Sequence, residues 1–355
     1  MNAASAIRAV IASIVISAVA VVFLTGTQGK SFDLVGFYQS LRPSPIGLVL
    51  VLVSLIGWWV IGGIRIKIIA DSLPQEPGTQ PITLGRASRA MLLSLFTAAI
   101  TPSVGAALGL VWYLSRYLGA QAATAITLYS LVTDLVYYAW SLPVSYLVLT
   151  LTGVNLNLPV IGPALGVFAI AASALMLFFA FGLTFRPHAL SRLVWNITSL
   201  GFLKRFRKGA YRFVRETAAT LEQISRLSPG KQLLLHFVTA LSYLSHFLAF
   251  NVLLWACGFE NVKHVTILAA QSLLVALSLI VPSPGGAGYF ELVLPSVLEA
   301  SGLPRQAEIP LALIWRVLSY YLYIVIGLFI GGAALMAANK RKENQTGPQP
   351  PSLKR

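Results

Sequence analysis

The segment Val281-Pro282-Ser283-Pro284-Gly285-Gly286-Ala287-Gly288-Tyr289-Phe290-Glu291 lies between two long apolar runs and cannot continue a helix. Proline has no N–H for the helical ladder, and glycine loses the most backbone entropy on ordering. The flanking residues are nonetheless too hydrophobic to leave a membrane. Irregular backbone at membrane depth persists only where protein or a watery cavity surrounds it, because unpaired amides in lipid are costly. A glutamate follows directly. The segment therefore reads as a re-entrant or interrupted element lining a polar site inside a membrane protein.

Of the 355 residues, 57% are hydrophobic and 10% charged, against about 25% charged in soluble domains. That places the chain among all-α polytopic membrane proteins. The longest polar stretch, residues 186–231, is too short and too basic for an independent catalytic core, so no enzyme activity is expected. Cys257 is the single cysteine, which excludes an internal disulfide framework and a Cys-rich zinc site. His188, His236, His246 and His264 show no ligand spacing, and neither a metal nor a cofactor is expected.

The net charge of +15 is unevenly spread. Ten Lys/Arg fall between Arg186 and Lys231, and five more between Lys340 and Arg355. By the positive-inside rule both segments are cytoplasmic, which gives a multi-pass inner (plasma) membrane protein with both termini in the cytoplasm. Juxtamembrane Lys/Arg serve orientation and contact with anionic headgroups, and no nucleic-acid partner is expected. Arg8, the apolar run after it and Ala18-Val19-Ala20 have the layout of a secretory leader. Further spans follow, so an uncleaved first helix is the better reading.

At about 20 residues per span, apolar stretches near 7–25, 46–64, 121–150, 161–185, 232–256, 264–281 and 309–337 are membrane candidates. Residues 203–227 carry Leu203, Phe206, Tyr211, Phe213, Val214, Leu221 and Ile224 among basic residues. They predict an amphipathic helix that lies on the membrane surface or serves as a solvated connector. The expected organisation is a single membrane domain over 1–338 with repeat halves at about 46–185 and 232–338. A basic cytoplasmic segment, 186–231, joins the halves, and residues 339–355 form a disordered tail.

The repeat rests on a second break. Ala90 to Ile100 is too short to cross, stops at Thr101-Pro102-Ser103-Val104-Gly105, and is followed by a short run to Arg116. Ile100-x-Pro102-Ser103-x-Gly105-x-Ala107 and Ile280-x-Pro282-Ser283-x-Gly285-x-Ala287 match at five positions, 180 residues apart. Charge places Arg86, Arg89 and Arg116 inside, and His264 and Arg305 outside. Two re-entrant hairpins entering from opposite faces make an inverted repeat with a site near the midplane, within about 8–10 membrane-embedded helices.

Few ionisable groups remain in the apolar regions. Asp134 sits mid-span, Glu291 follows the second break, and Arg316 occupies the final span with Tyr320 and Tyr323 below it. Each charge costs on the order of 3 kcal/mol on insertion scales unless paired or wetted. Both Glu291–Arg316 and Asp134–Arg316 are candidate pairs, either structural or functional. The glycine turn at 285–288 offers backbone N–H groups and a helix N-terminus suited to a phosphate, or a break that needs glycine only for packing. His236 and His246 share a helical stripe, consistent with interhelical hydrogen bonding or proton relay.

These motifs resemble the transmembrane region of lysylphosphatidylglycerol synthases and its stand-alone relatives. The likeness rests on Gly62-Gly63-Ile64-Arg65, on Thr101-Pro102-Ser103-x-Gly105 with Arg116-x-x-Gly119, and on Pro282-Ser283-Pro284-Gly285-Gly286-Ala287-Gly288-Tyr289-Phe290-Glu291. Arg316 with Tyr320 and Gly327 completes it, over about residues 46–337. The resemblance implies movement of polar lipids between leaflets, with amino-acid transfer belonging to a separate soluble domain not carried over here. The chain departs from many relatives at Ala106-Ala107-Leu108-Gly109, where they place a charged residue.

The expected function is flipping of a polar or anionic lipid or glycolipid headgroup. Arg316 would hold a phosphate, Gly285 and Gly286 would supply donors, and Glu291 would position Arg316 or meet a cationic group. Ser283, Pro102, Ser103, Asp134 and Tyr320 complete the candidate contacts. Alternatives are a noncatalytic scaffold for lipid or envelope synthesis enzymes and an integral-membrane lipid-linked transferase. Candidate partners are the lipid itself, the anionic membrane surface, a second copy of the chain, or a lipid-synthesis enzyme.

Overall fold

The computed structural model describes residues 3–27, 43–74, 77–101, 105–153, 164–199, 206–281 and 283–330. Residues 331–337 of the last predicted span and the 339–355 tail lie outside them. Among the described residues the fold is all-α. In chain order the helices are α1 (Ala3–Thr27), α2 (Pro45–Asp71), α3 (Leu84–Ile100), α4 (Gly105–Leu118), α5 (Ala120–Leu151) and α6 (Leu165–Phe185). There follow α7 (Ala189–Ile197), α8 (Arg207–Ser225), α9 (Pro229–Ala256), α10 (His264–Ser278), α11 (Tyr289–Ala300) and α12 (Arg305–Ile330). Five of them, α2, α5, α6, α9 and α12, are long and apolar enough to cross a membrane unaided.

The elements start and stop where capping chemistry permits. Ser44 accepts from the Gly47 N–H, with Pro45 at the first helical position of α2, where its missing N–H costs nothing. Thr83 caps α3 by accepting from the Arg86 N–H. This cap starts α3 six residues before the apolar run at Ala90, so Arg86 and Arg89 are helical rather than in a loop.

Two pairs of short helices form hairpins. In α3–α4 the base is closed by Gln80 N–H to Tyr117 O at 2.9 Å, and near the tip Ser94 Oγ donates to Ala106 O at 2.9 Å. In α10–α11 the base is closed by Lys263 N–H to Ser301 O at 3.0 Å. The first base adjoins the start of α5, whereas Lys263 and Thr266 of the second reach Thr152 at its other end. As α5 has 32 residues, the two bases are separated along it by about 48 Å. The tips point toward each other from opposite ends.

A long antiparallel pair, α2 and α9, braces them. Ser44 N–H donates to Ala256 O, Ser245 Oγ to Ser54 O and Ser242 Oγ to Trp58 O, so these bonds tie the first half of α2 to the second half of α9. Small hydroxyls bonding across helices replace the hydrophobic drive that lipid removes. Where α2 meets α3, a Cβ on Gly63 would lie 2.9 Å from Ser88 backbone atoms, and only glycine permits that approach.

The outer faces are apolar. On α6, Val167, Ile170, Phe178 and Phe181 are more than half exposed, a pattern that water would penalise and lipid tails would not. The amphipathic helix predicted at 203–227 is α8. It buries Thr217, Ala218, Leu221 and Ile224 against the bundle's end, and Gln121 on α5 donates to Glu216 at 2.9 Å. It is a packed connector, held in turn by α7 through His188–Glu222 at 3.0 Å and an Arg207–Trp195 stack.

Candidate functional site

Arg316 and Glu291 meet in the middle of the bundle. Arg316 Nε donates to Glu291 Oε1 at 2.9 Å, and the residues are 4% and 2% exposed. Glu291 is otherwise fully engaged. Its Oε1 also accepts from Ser17 Oγ at 2.7 Å, and Oε2 accepts from the Gly288 N–H at 2.9 Å, capping α11. Such saturation offsets part of the cost of burying a carboxylate. Of the two pairings open for Arg316, only this one forms.

Asp134 belongs elsewhere. It pairs with Arg65, which also donates to Thr133. Arg65 ends an apolar run and reads as a cytoplasmic marker, yet it is 6% exposed. Its cluster borders the stacked rings of Tyr137 and Tyr243, 4.4 Å apart. The contact expected between Asp134 and the Arg316 site is therefore not made.

The glycine turn is built around Arg316 and Tyr320. Gly285 has φ 55°, and a Cβ there would stand 2.0 Å from the Tyr320 ring, so glycine is required twice over. Its carbonyl accepts from Arg316 Nη1 at 3.3 Å. Of the backbone donors expected to be open at this turn, those of Gly286, Ala287 and Gly288 are already engaged. Gly286 N–H bonds Ser283 O, Ala287 N–H bonds Pro284 O, and Gly288 N–H bonds Glu291. Ser283 Oγ is buried without a partner. Pro102 and Ser103 lie outside the described residues.

Tyr320 links both tips. Its hydroxyl donates to Ala99 O at 2.7 Å and lies 3.4 Å from Pro284 O. A phenol has one proton, so Ser13 Oγ, 2.7 Å away, supplies the donor in that contact. The ring carries the Arg316 guanidinium 4.1 Å above its centre. A π-helical turn, Val317–Tyr321, follows Arg316 directly and sets this register.

Between the tips lies a cavity of about 260 Å³, lined by Ala98, Ala99 and Ala106 of one hairpin and Gly285 and Gly286 of the other. Arg316, Ser319, Tyr320, Gln271 and His246 supply its polar wall. Arg316 Nη2 and His246 Nδ1 are among the atoms of that wall buried without hydrogen-bond partners. His246 packs on Trp58 at 3.8 Å between ring centres rather than bonding across helices. Larger clefts of about 560 and 520 Å³ open at the basic end, by Asp71 and Glu216 and by Arg186 and His188. Neither is lined by a buried unpartnered donor.

Sequence reasoning missed Ser13, Ser17 and the cavity face of His246. The signal for the serines was present, since they are polar residues four apart in an apolar helix and share one face.

Residues 10–327 match the family model described as the lysylphosphatidylglycerol synthase TM region. The chain belongs to that family. As a lysylphosphatidylglycerol synthase transmembrane region it is a membrane-embedded, multi-pass domain of a kind associated with lipid headgroup handling. The match takes in both hairpins, α1 from residue 10, and Arg316 with Tyr320. No curated protein and no solved structure matches the chain.

Proposed function

We propose that this chain moves a polar lipid headgroup between leaflets through the cavity at the two hairpin tips. The observation that carries the reading is the guanidinium of Arg316, which lines that cavity and has one nitrogen, Nη2, without a hydrogen-bond partner. A desolvated charge-assisted donor is a strong hydrogen-bonding group, and leaving it empty costs more than filling it with an anionic oxygen. Glu291 holds the guanidinium from behind, so it acts as a positioning residue rather than a headgroup contact.

On this reading α3–α4 and α10–α11 are re-entrant hairpins of an inverted repeat, and the basic end with α7 and α8 faces the cytoplasm. Tails remain in lipid while the headgroup passes the polar centre, which avoids most of its desolvation cost. The cavity wall carries no carboxylate among the described residues.

The test is exchange of tail-labelled phospholipids between leaflets of proteoliposomes, comparing wild type with Arg316→Lys and Arg316→Gln at equal folded protein. Lysine keeps the charge but not the fork. Exchange that falls in both variants supports the reading. Exchange at the protein-free rate for wild type overturns autonomous movement and favours the scaffold.

A further inference from the structure

We propose that the cleft where α6, α7 and α8 meet is a fixed binding site for an anionic phospholipid, its phosphate held by Arg186 and Arg192. The site stands whether or not the tip cavity moves lipid.

The cleft encloses about 520 Å³, within the roughly 300–1,000 Å³ of ordinary ligand sites. Its charged wall is Arg186, Arg192, Arg226 and Glu222, with His188 beside them. Three arginines against one glutamate leave two positive charges while the histidine is neutral. The glutamate is not available to the other two arginines. Its Oε2 is bonded by His188 at 3.0 Å, and its Oε1 pairs with Arg226. Arg186 and Arg192 are exposed, and neither side chain has a hydrogen-bond or ion-pair partner among the described residues. The N–H groups at the start of α7 are closed, since those of Ala189, Leu190 and Ser191 bond the carbonyls of Arg186, Pro187 and His188. Recognition therefore falls to the two guanidinium forks, whose geometry matches a phosphate.

Unpaired arginines on a surface are usually a solvated face. Here their position points to a lipid. The span α6 ends at Phe185, which lines the cleft and is 69% exposed. The Phe181 ring stands 4.8 Å from it, and Phe178 lies about one turn further along, both more than half exposed. An apolar stripe thus descends the outer side of α6 and ends among the arginines. Exposed Leu193 and Ile197, four apart on α7, add a second apolar face next to the cleft. A phospholipid satisfies both parts at once, with tails on the phenylalanines and phosphate on the arginines. A free anion would meet the charges and leave the apolar stripe bare.

The experiment titrates the full chain in detergent with dioleoyl phosphatidylglycerol and dioleoyl phosphatidylcholine, read by native mass spectrometry. Inorganic phosphate is the soluble arm. Wild type is expected to prefer the anionic lipid. A basic side chain beside an anionic headgroup contributes about fivefold in affinity, so Arg186→Gln with Arg192→Gln should lower phosphatidylglycerol binding by about tenfold or more. Arg186→Lys with Arg192→Lys keeps the charges and retains most of the binding. Lys208→Gln with Arg212→Gln removes the same charge from exposed positions of α8 outside the cleft. That pair should stay within about twofold of wild type. Equal unfolding midpoints without lipid check that the variants fold, and phosphatidylglycerol should raise the midpoint of wild type more than that of the Arg186 and Arg192 glutamine pair.

Unchanged phosphatidylglycerol affinity in the Arg186 and Arg192 glutamine pair overturns the proposal. An equal loss in the Lys208 and Arg212 pair also overturns it, because attraction to a basic surface then replaces a site. Inorganic phosphate binding as tightly as the lipid overturns the lipid as occupant. Leaflet exchange through the tip cavity is read by its own assay, so the two readings fail separately.

Discussion

Arg316 Nε and Glu291 Oε1 lie 2.9 Å apart with both side chains almost fully buried, and each holds a different part of the fold. The arginine stands on the last helix beside a π-helical turn, and the glutamate caps the helix that leaves the second hairpin tip. Their bond fixes the glycine turn against α12.

Removing the carboxylate strands the cation. Glu291→Ala is expected to lower stability in detergent by about 3–5 kcal/mol, the usual cost of an uncompensated buried charge. Glu291→Ala with Arg316→Met should recover much of the loss, since no bare charge then remains. Unfolding midpoints of both variants check this, and a double variant as unstable as the single one contradicts the charge explanation.

The turn itself responds to one methyl group. Gly285→Ala meets both a positive φ and the Tyr320 ring. Left-handed backbone alone costs about 1–2 kcal/mol for an L residue. Adding Tyr320→Leu removes the steric part and leaves the backbone part. A thermal-unfolding series over the two single variants and the double should therefore be non-additive.

Asp134 gives the contrasting case. Its partner is Arg65 rather than the cavity arginine, so Asp134→Ala should destabilise the chain while leaving leaflet exchange per folded protein unchanged. Exchange measured on the folded fraction checks it, and a lowered rate would tie this cluster to the cavity.

At the basic end, Glu222 is bonded by His188 and attracted by Arg226, and these hold its carboxyl below the ordinary carboxylate value. A lowered folded value means stability present above the unfolded pKa and lost as pH falls through the folded one. The pair is exposed, so the effect is small and screened by salt. The stability difference between wild type and Glu222→Gln should close on acidification below about pH 4.

The membrane class, five of the seven candidate spans and both breaks were legible because hydropathy and Pro/Gly chemistry act locally, whereas 7–25 and 264–281 are shorter apolar stretches. Glu291 and Arg316 announced themselves as charges that needed partners. Which partner each took was not legible, since Asp134 and Glu291 were both acceptable by charge and only packing decides. The partner of Arg65 was hidden for a related reason. An arginine at the end of an apolar run can snorkel to the interface, but here a carboxylate one helix away holds it inside. The turn's amides were read as open because sequence names the donors of a loop and not the carbonyls that its fold presents to them.

Ser13 reaches Tyr320 across 307 positions of chain, and Ser17 reaches Glu291 across 274. At ordinary elongation rates the first helix waits roughly 15–60 s before its partner on the last helix has been made. Its hydroxyls can return to their own helix's carbonyls in the meantime. A chain stalled before α12 would hold Glu291 without Arg316, a carboxylate already placed among apolar helices and still short of its counter-charge.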